Sequence, residues 1–174
     1  MAAADVSIEI RVARAADEAQ LARLDRVSWT PQSGFPSVTR QAGGLFFTAG
    51  SPPQAHLVGT IDGAVVGYIR LAVPSPLPEE AHVLAVHGLA VAPESRRRGV
   101  ATALLGAAER RARDRGARKL SLRVLSTNPT AIRLYTQLGF LQEGRLVGEF
   151  FINGHYVDDL LLAKHLADGG PHPE

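Results

Sequence analysis

Three consecutive arginines, Arg96, Arg97 and Arg98, stand before Gly99 in the stretch HGLAVAPESRRRGVATALL, residues 87–105. Adjacent like charges repel one another, so the triplet predicts an anionic partner. An apolar run precedes it and a helical pattern follows it, so the loop opens a helix. The first turn of a helix carries backbone N–H groups without partners and a partial positive charge. Gly99 has no Cβ and lets a ligand approach the backbone, and beyond Val100 the residues Ala101 and Thr102 are also small. Arginine adds charge-assisted hydrogen bonds to phosphate. The bland alternative is a solvated basic loop. A triphosphate loop needs a Gly-Lys-Ser/Thr ending and a dinucleotide fingerprint needs G-x-G-x-x-G, and the sequence has neither here.

The chain of 174 residues has the size of one compact domain, expected over 1–174 with a core at 6–164 and a frayed tail at 167–174. Nineteen Lys+Arg nearly balance 17 Asp+Glu, for a net charge of +2. That balance argues against a dedicated nucleic-acid or membrane-surface binder, including one acting through RRRGVATALLGAAERRARDRG. There is no cysteine, which removes disulfides, cysteine-based zinc sites and a thiol nucleophile, and fits a cytoplasmic protein. No metal is expected. The N-terminal residues show no signal-peptide pattern and no run approaches a membrane span.

The elements that must position the loop follow from periodicity and turn chemistry. Val6 to Ala13 alternates as a half-buried strand. Asp17 to Trp29 places Ala19, Leu21, Leu24, Val27 and Ser28 at helical spacing. Thr30 to Pro53 is irregular, with Phe35, Phe46 and Phe47 as aromatic anchors. Asp62-Gly63 and Asn153-Gly154 each mark a hairpin turn. AHVLAVHGLAV (81–91) is a strand, Arg98 to Arg115 a helix ending at Gly116, and KLSLRVL (119–125) a strand. A short helix follows, with Asn128 as N-cap, Pro129 at its first position and Gly139 past its end. The order β-α-(loop)-β-β-β-α-β-α-β-β implies an α/β (α+β) domain. Its sheet is mixed, mostly antiparallel, of six to seven strands, flanked by helices, with one parallel β-α-β crossover.

Arg96-x-x-Gly99-x-Ala101, after the apolar-x-apolar triplet Leu89-Ala90-Val91, resembles the signature of the GCN5-related N-acetyltransferase (GNAT) family. NPTAIRLYTQLGF (128–140) is similar to that family's second block, with Asn128, Tyr135, Gly139 and Phe140 in register. The resemblance covers residues 6–164 in element order. It implies a GNAT fold and transfer of an acetyl group from acetyl-coenzyme A to a primary amine of a small molecule or peptide. It further implies that Arg96–Thr102 holds the cofactor's pyrophosphate and that backbone groups of Leu89, Ala90 and Val91 pair with its pantetheine arm. Asn128, the helix cap, would also contact the cofactor, and Tyr135 would donate a proton to the departing sulfur. The acyltransferase would work as a monomer or homodimer.

An alkylamine with a lysine-like pKa of ~10.4 is only about one part in a thousand neutral near pH 7, so a base or a desolvating pocket must help. The ribosomal-protein acetyltransferases of the family carry a glutamate five residues before the asparagine; Arg123 stands at that position here. VHGLAV resembles the His-x-Leu-Ala-Val strand of the arylalkylamine acetyltransferases, which makes His87 the candidate base, against a structural strand histidine. His82 should face the other side of the strand by parity. Trp29, Phe35, Phe46 and Phe47 are candidates for an acceptor pocket or for core, and Glu79, Glu80, Asp158 and Asp159 for attraction of a cationic amine or for solvated surface. Acetylation of a protein N-terminus or lysine, and a coenzyme A sensor without turnover, are the alternatives.

Overall fold

The computed structural model describes residues 7–30, 32–35 and 44–166. Its strands are β1 (Glu9–Val12), β2 (His56–Ile61), β3 (Ala64–Ala72), β4 (Val83–Val91), β5 (Lys119–Leu125), β6 (Leu141–Ile152) and β7 (His155–His165). Its helices are α1 (Glu18–Ser28), α2 (Val100–Asp114) and α3 (Pro129–Gln137). The strands form one mixed sheet in the order β1-β2-β3-β4-β5-β7-β6. β1–β2, β2–β3, β5–β7 and β6–β7 pair antiparallel. β4 and β5 pair parallel, from Val83↔Lys119 to Val86↔Leu122, as the strand–helix–strand crossover requires. The expected α/β class and element order are therefore those of the structure.

Two compact units divide the chain, Met1–Leu71 with His87–Ala108 and Ala72–Val86 with Glu109–Glu174. In the first, α1 lays Leu21 and Leu24 on Val58, Tyr68 and Ala90, with Trp29, Phe46, Phe47 and Val65 packed around them. The sequence placed Ala19 and Val27 on that face as well. Both are exposed, because the buried stripe narrows to Leu21, Leu24 and Ser28. On β2 and β3, Gly59 lies opposite Gly67. A Cβ on Gly67 would stand 3.0 Å from the Ala90 carbonyl and from Val100 Cγ1, and one on Gly59 would stand 3.2 Å from Val100 Cγ1. The glycine pair thus lets the start of α2 lie directly on the strands, and this fixes where its open N–H groups project.

The second unit is built on β5 and β7, with Leu120, Leu122, Leu160 and Leu162 buried. A smaller cluster joins Leu125, Ile152 and Val157. The Lys164 ammonium donates to Glu109 at 2.7 Å, and Arg113 Nε donates to the Leu166 carbonyl at 3.3 Å. Both hairpin turns form where the sequence put them: Asp62 and Gly63 have φ of 49° and 78°, Asn153 and Gly154 49° and 85°. Val6, most of the irregular stretch between Pro31 and Gly43, and the tail at 167–174 lie outside the described residues.

Candidate functional site

The arginine loop is shaped by two left-handed residues. Pro93–Ser95 forms one 3-10 turn after β4; Arg97 then has φ of 62° and Gly99 of 84°. The helix expected from Arg98 begins instead at Val100, because the left-handed Gly99 cannot be helical and caps the helix through its carbonyl, which accepts from Ala103 N at 2.9 Å. A positive φ at a residue with a Cβ is uncommon, so Arg97 holds a conformation that its type does not favour. Arg97, Arg98 and Gly99 are exposed at the mouth of the α2 N-terminus, ahead of Val100 and Ala101, while Thr102 is exposed on the first turn.

Arg96 differs from its two neighbours. Its Nε donates to the Val91 carbonyl at 3.1 Å and its Nη2 to the Ser28 carbonyl at 3.2 Å. The first arginine, though exposed like its neighbours, therefore ties the loop to β4 and to the end of α1, while Arg97 and Arg98 project from the loop itself. Val91's carbonyl is already engaged by this bond. Leu89 and Val91 are partly exposed and Ala90 is buried.

His87 follows the four buried residues Val83–Val86 and is exposed. Removal of water around its ring, and the Arg70 charge, hold its pKa below the ordinary 6.5, so the imidazole is neutral at pH 7. Beside this strand the structure assembles Tyr68, Asp25 and Glu18, which sequence reasoning misses, with Trp29, Phe46 and Phe47, which it offers for a pocket or for core. Tyr68 lies beneath β4: a Cβ on Gly88 would stand 3.7 Å from the Tyr68 ring. Tyr68 Oη donates to Asp25 Oδ1 at 2.5 Å, and Trp29 Nε1 donates to the same oxygen at 2.6 Å. Burial and the Asp25 carboxylate push the phenol's pKa upward. Phe46 packs edge-on against Tyr68 at 5.0 Å and contacts His56 at 5.1 Å between ring centroids. Glu18 holds this aromatic segment by accepting from the Phe46 and Phe47 amides at 2.5 and 3.0 Å. The signal available in the sequence was GYIRL, where Tyr68 and Arg70 put polar atoms on alternate positions of an otherwise apolar strand.

His56 is buried at 2 % exposure. Its Nδ1–H donates to the Pro52 carbonyl at 2.9 Å, and burial lowers its pKa, so it is a neutral structural ring. Phe35 is exposed and lies outside this cluster's buried and packed members.

In the second unit, Asn128 caps α3 by accepting from the Ala131 amide at 3.2 Å. Tyr135 is buried and its ring packs against Phe140 at 5.7 Å. Burial pushes its pKa up to about 12, so the phenol keeps its proton across the physiological range. Arg123, at the position where the glutamate would stand, pairs with Asp159 and with Glu149. Of the acidic residues considered for a cationic amine, Asp158 accepts from the Gly148 amide at 2.7 Å and pairs with Arg145. Asp159 is buried against Arg123, and Glu80 accepts from Ser75 Oγ. Glu79 and His82 are exposed. Among the described residues no group of three or more His, Cys, Asp and Glu has a metal-binding arrangement, and no helix is long and apolar enough to cross a membrane.

The model of the acetyltransferase (GNAT) family matches residues 19–140. Among curated proteins, the chain is 34% identical over 110 residues to a spermidine N(1)-acetyltransferase of Vibrio cholerae, covering 60% of this chain and 54% of that protein. It thus spans about half that relative's length. It is 35% identical over 118 residues to the L-amino acid N-acetyltransferase AaaT of Escherichia coli, covering 67% and 71%. Among solved structures, smu.2055 of Streptococcus mutans superposes with a TM-score of 0.76 at 28% identity, covering 92% of this chain and 99% of that one. The fold is also that of yncA from Salmonella typhimurium, solved with its cofactor acetyl-CoA, at a TM-score of 0.72 and 20% identity, covering 97% and 98%.

Proposed function

Because this chain belongs to the acetyltransferase (GNAT) family, we propose that it transfers an acetyl group from acetyl-coenzyme A to the primary amine of a small molecule. The observation that carries the proposal is the arginine loop. Arg97 and Arg98 stand exposed before an open helix N-terminus, and two left-handed residues turn the backbone toward it. That donor set suits a pyrophosphate, which accepts hydrogen bonds from backbone N–H groups and guanidinium together. The Gly99 position has room, since a Cβ there would meet nothing closer than Ile8 Cδ1 at 4.0 Å. The resemblance of the two sequence blocks supports the remaining assignments. Backbone groups of Leu89, Ala90 and Val91 other than the engaged Val91 carbonyl pair with the pantetheine arm, and Asn128 meets the cofactor while capping its helix. Both kinds of curated relative, acting on spermidine or on amino acids, support a small amine. A cytoplasmic location fits a chain without cysteine.

His87 takes the proton of the incoming amine, directly or through one water, and Tyr135 donates to the sulfur as it leaves. A base must be neutral to act. His87 is neutral above its depressed pKa and protonated below it, so the rate should rise with pH through an apparent value under 6.5. His87→Gln should remove that limb, lower turnover near neutrality, and be partly rescued at high pH, where more amine is already neutral. A parental pH–rate profile in the mutant would make His87 structural.

The reaction itself is tested by thiol release from acetyl-coenzyme A against a panel of amines, with calorimetry for the cofactor. Binding of acetyl-coenzyme A without amine-dependent thiol release would instead support a sensor. No binding at all would overturn the assignment of the loop.

A further inference from the structure

We propose that the acceptor carries a carboxylate beside its amine, as an α-amino acid does, and that Arg70 holds that carboxylate. This rests on the acetyltransferase reading above and names the acceptor class for it. The Arg70 side chain is partly buried on β3, directly opposite His56 of β2 and two residues from Tyr68 on the same face. Its Nη2 donates to the Gly50 carbonyl at 2.9 Å. Its Nε is shut away from solvent and has no hydrogen-bond partner. No Asp or Glu among the described residues forms an ion pair with it. A guanidinium with its buried Nε–H left unmatched is incomplete by itself; a carboxylate is the planar anion whose geometry fits its fork.

The neighbours agree. Asp25 is the acid of this cluster, and its Oδ1 already receives Tyr68 and Trp29. His56 and His87 both sense the Arg70 charge, and it favours their neutral forms. A polycationic acceptor would meet that same repulsion. Elsewhere in the chain three of the four acids that might have gathered a polyamine, Asp158, Asp159 and Glu80, are engaged by Arg145, Arg123 and Ser75, while Glu79 is exposed. An amino acid reverses the situation, because its carboxylate relieves Arg70 while its amine remains free to react.

The test compares neutral L-amino acids, the matching amino-acid amides and spermidine as acceptors for the wild-type protein, Arg70→Gln and Arg70→Lys. The wild type should prefer amino acids to their amides by roughly 10²-fold in kcat/KM. Arg70→Gln should erase that preference by raising KM for amino acids far more than for the amides. Arg70→Lys should recover part of it. Acetyl-coenzyme A affinity and melting temperature should be the same in all three. Equal losses on acids and amides, or a wild type that prefers spermidine, would overturn the proposal. Calorimetric titration of amino acid into the protein saturated with coenzyme A separates the two readings. Arg70-dependent binding without turnover supports the carboxylate contact while removing the transferase; turnover of amines with no dependence on Arg70 does the reverse.

Discussion

Gly99→Glu should lower acetyl-coenzyme A affinity by roughly 10²–10³-fold, the effect of a like charge set against an anion in a close contact. Gly99 stands at φ of 84°, and any residue with a Cβ held there costs about 1–2 kcal/mol. Among the described residues the surroundings add no clash, because the nearest heavy atom to such a Cβ is 4.0 Å away. The strain and the charge can therefore be separated. Gly99→Ala carries the strain alone and should lose affinity only modestly, with a similar fall in melting temperature. Calorimetry on both variants reads the difference. Equal affinities for the glutamate and alanine variants would remove the pyrophosphate from this loop.

Tyr135→Phe should reduce turnover by roughly 10²–10⁴-fold with little change in cofactor affinity. The ring would still pack on Phe140 and only the hydroxyl would go. With a pKa of about 12, the phenol is protonated wherever the enzyme works, and that is the form required of an acid. The sign follows. Activity that depends on Tyr135 is present at low pH and lost only as pH rises toward 12, so no alkaline limb from this group should appear below about pH 10. A thiol has an ordinary pKa of about 8.5, well below that of the buried phenol. In the proposed reaction Tyr135 would accordingly act as a hydrogen-bond donor while negative charge grows on sulfur, rather than by complete transfer in advance. A phenylalanine variant that keeps most of its turnover would hand the sulfur's proton to solvent.

What could be read beforehand was punctuation. Asp62-Gly63, Asn153-Gly154, the Asn128–Pro129 helix start and Gly116 act through local backbone preference, and each stands in the structure as a turn or cap. The arginine loop was legible for the same reason, except that Arg96 is committed to two backbone carbonyls. Its use depends on Ser28, 68 residues away in the chain, and nothing local reports that distance. β6 begins at Leu141, earlier than its apolar run suggests, since its first half is exposed and broken by bulges near Gln142 and Leu146. The Asp25–Tyr68–Trp29 bonds and the isolation of Arg70 were illegible because they arise where α1 meets β3, and tyrosine in an apolar strand reads simply as core. Asp158, Asp159 and Arg123 looked available because their partners appear only when strands pair, Arg123 with Asp159 across β5 and β7 and Asp158 with Arg145 across β6 and β7.

The Arg96 guanidinium has a consequence for how the first unit fluctuates. One side chain bonds the carbonyl that ends β4 and the carbonyl that ends α1. Opening either segment breaks a bond to the same group, so the two should open as one cooperative unit rather than fraying independently. Trp29 and Asp25 lie within that opening, being at or next to the helix end. Amide hydrogen exchange should then show matched protection for residues 25–29 and 91–96, and acetyl-coenzyme A should slow both sets by the same factor. Arg96→Ala should decouple them, leaving the helix end to exchange at its own rate whether or not the loop is occupied.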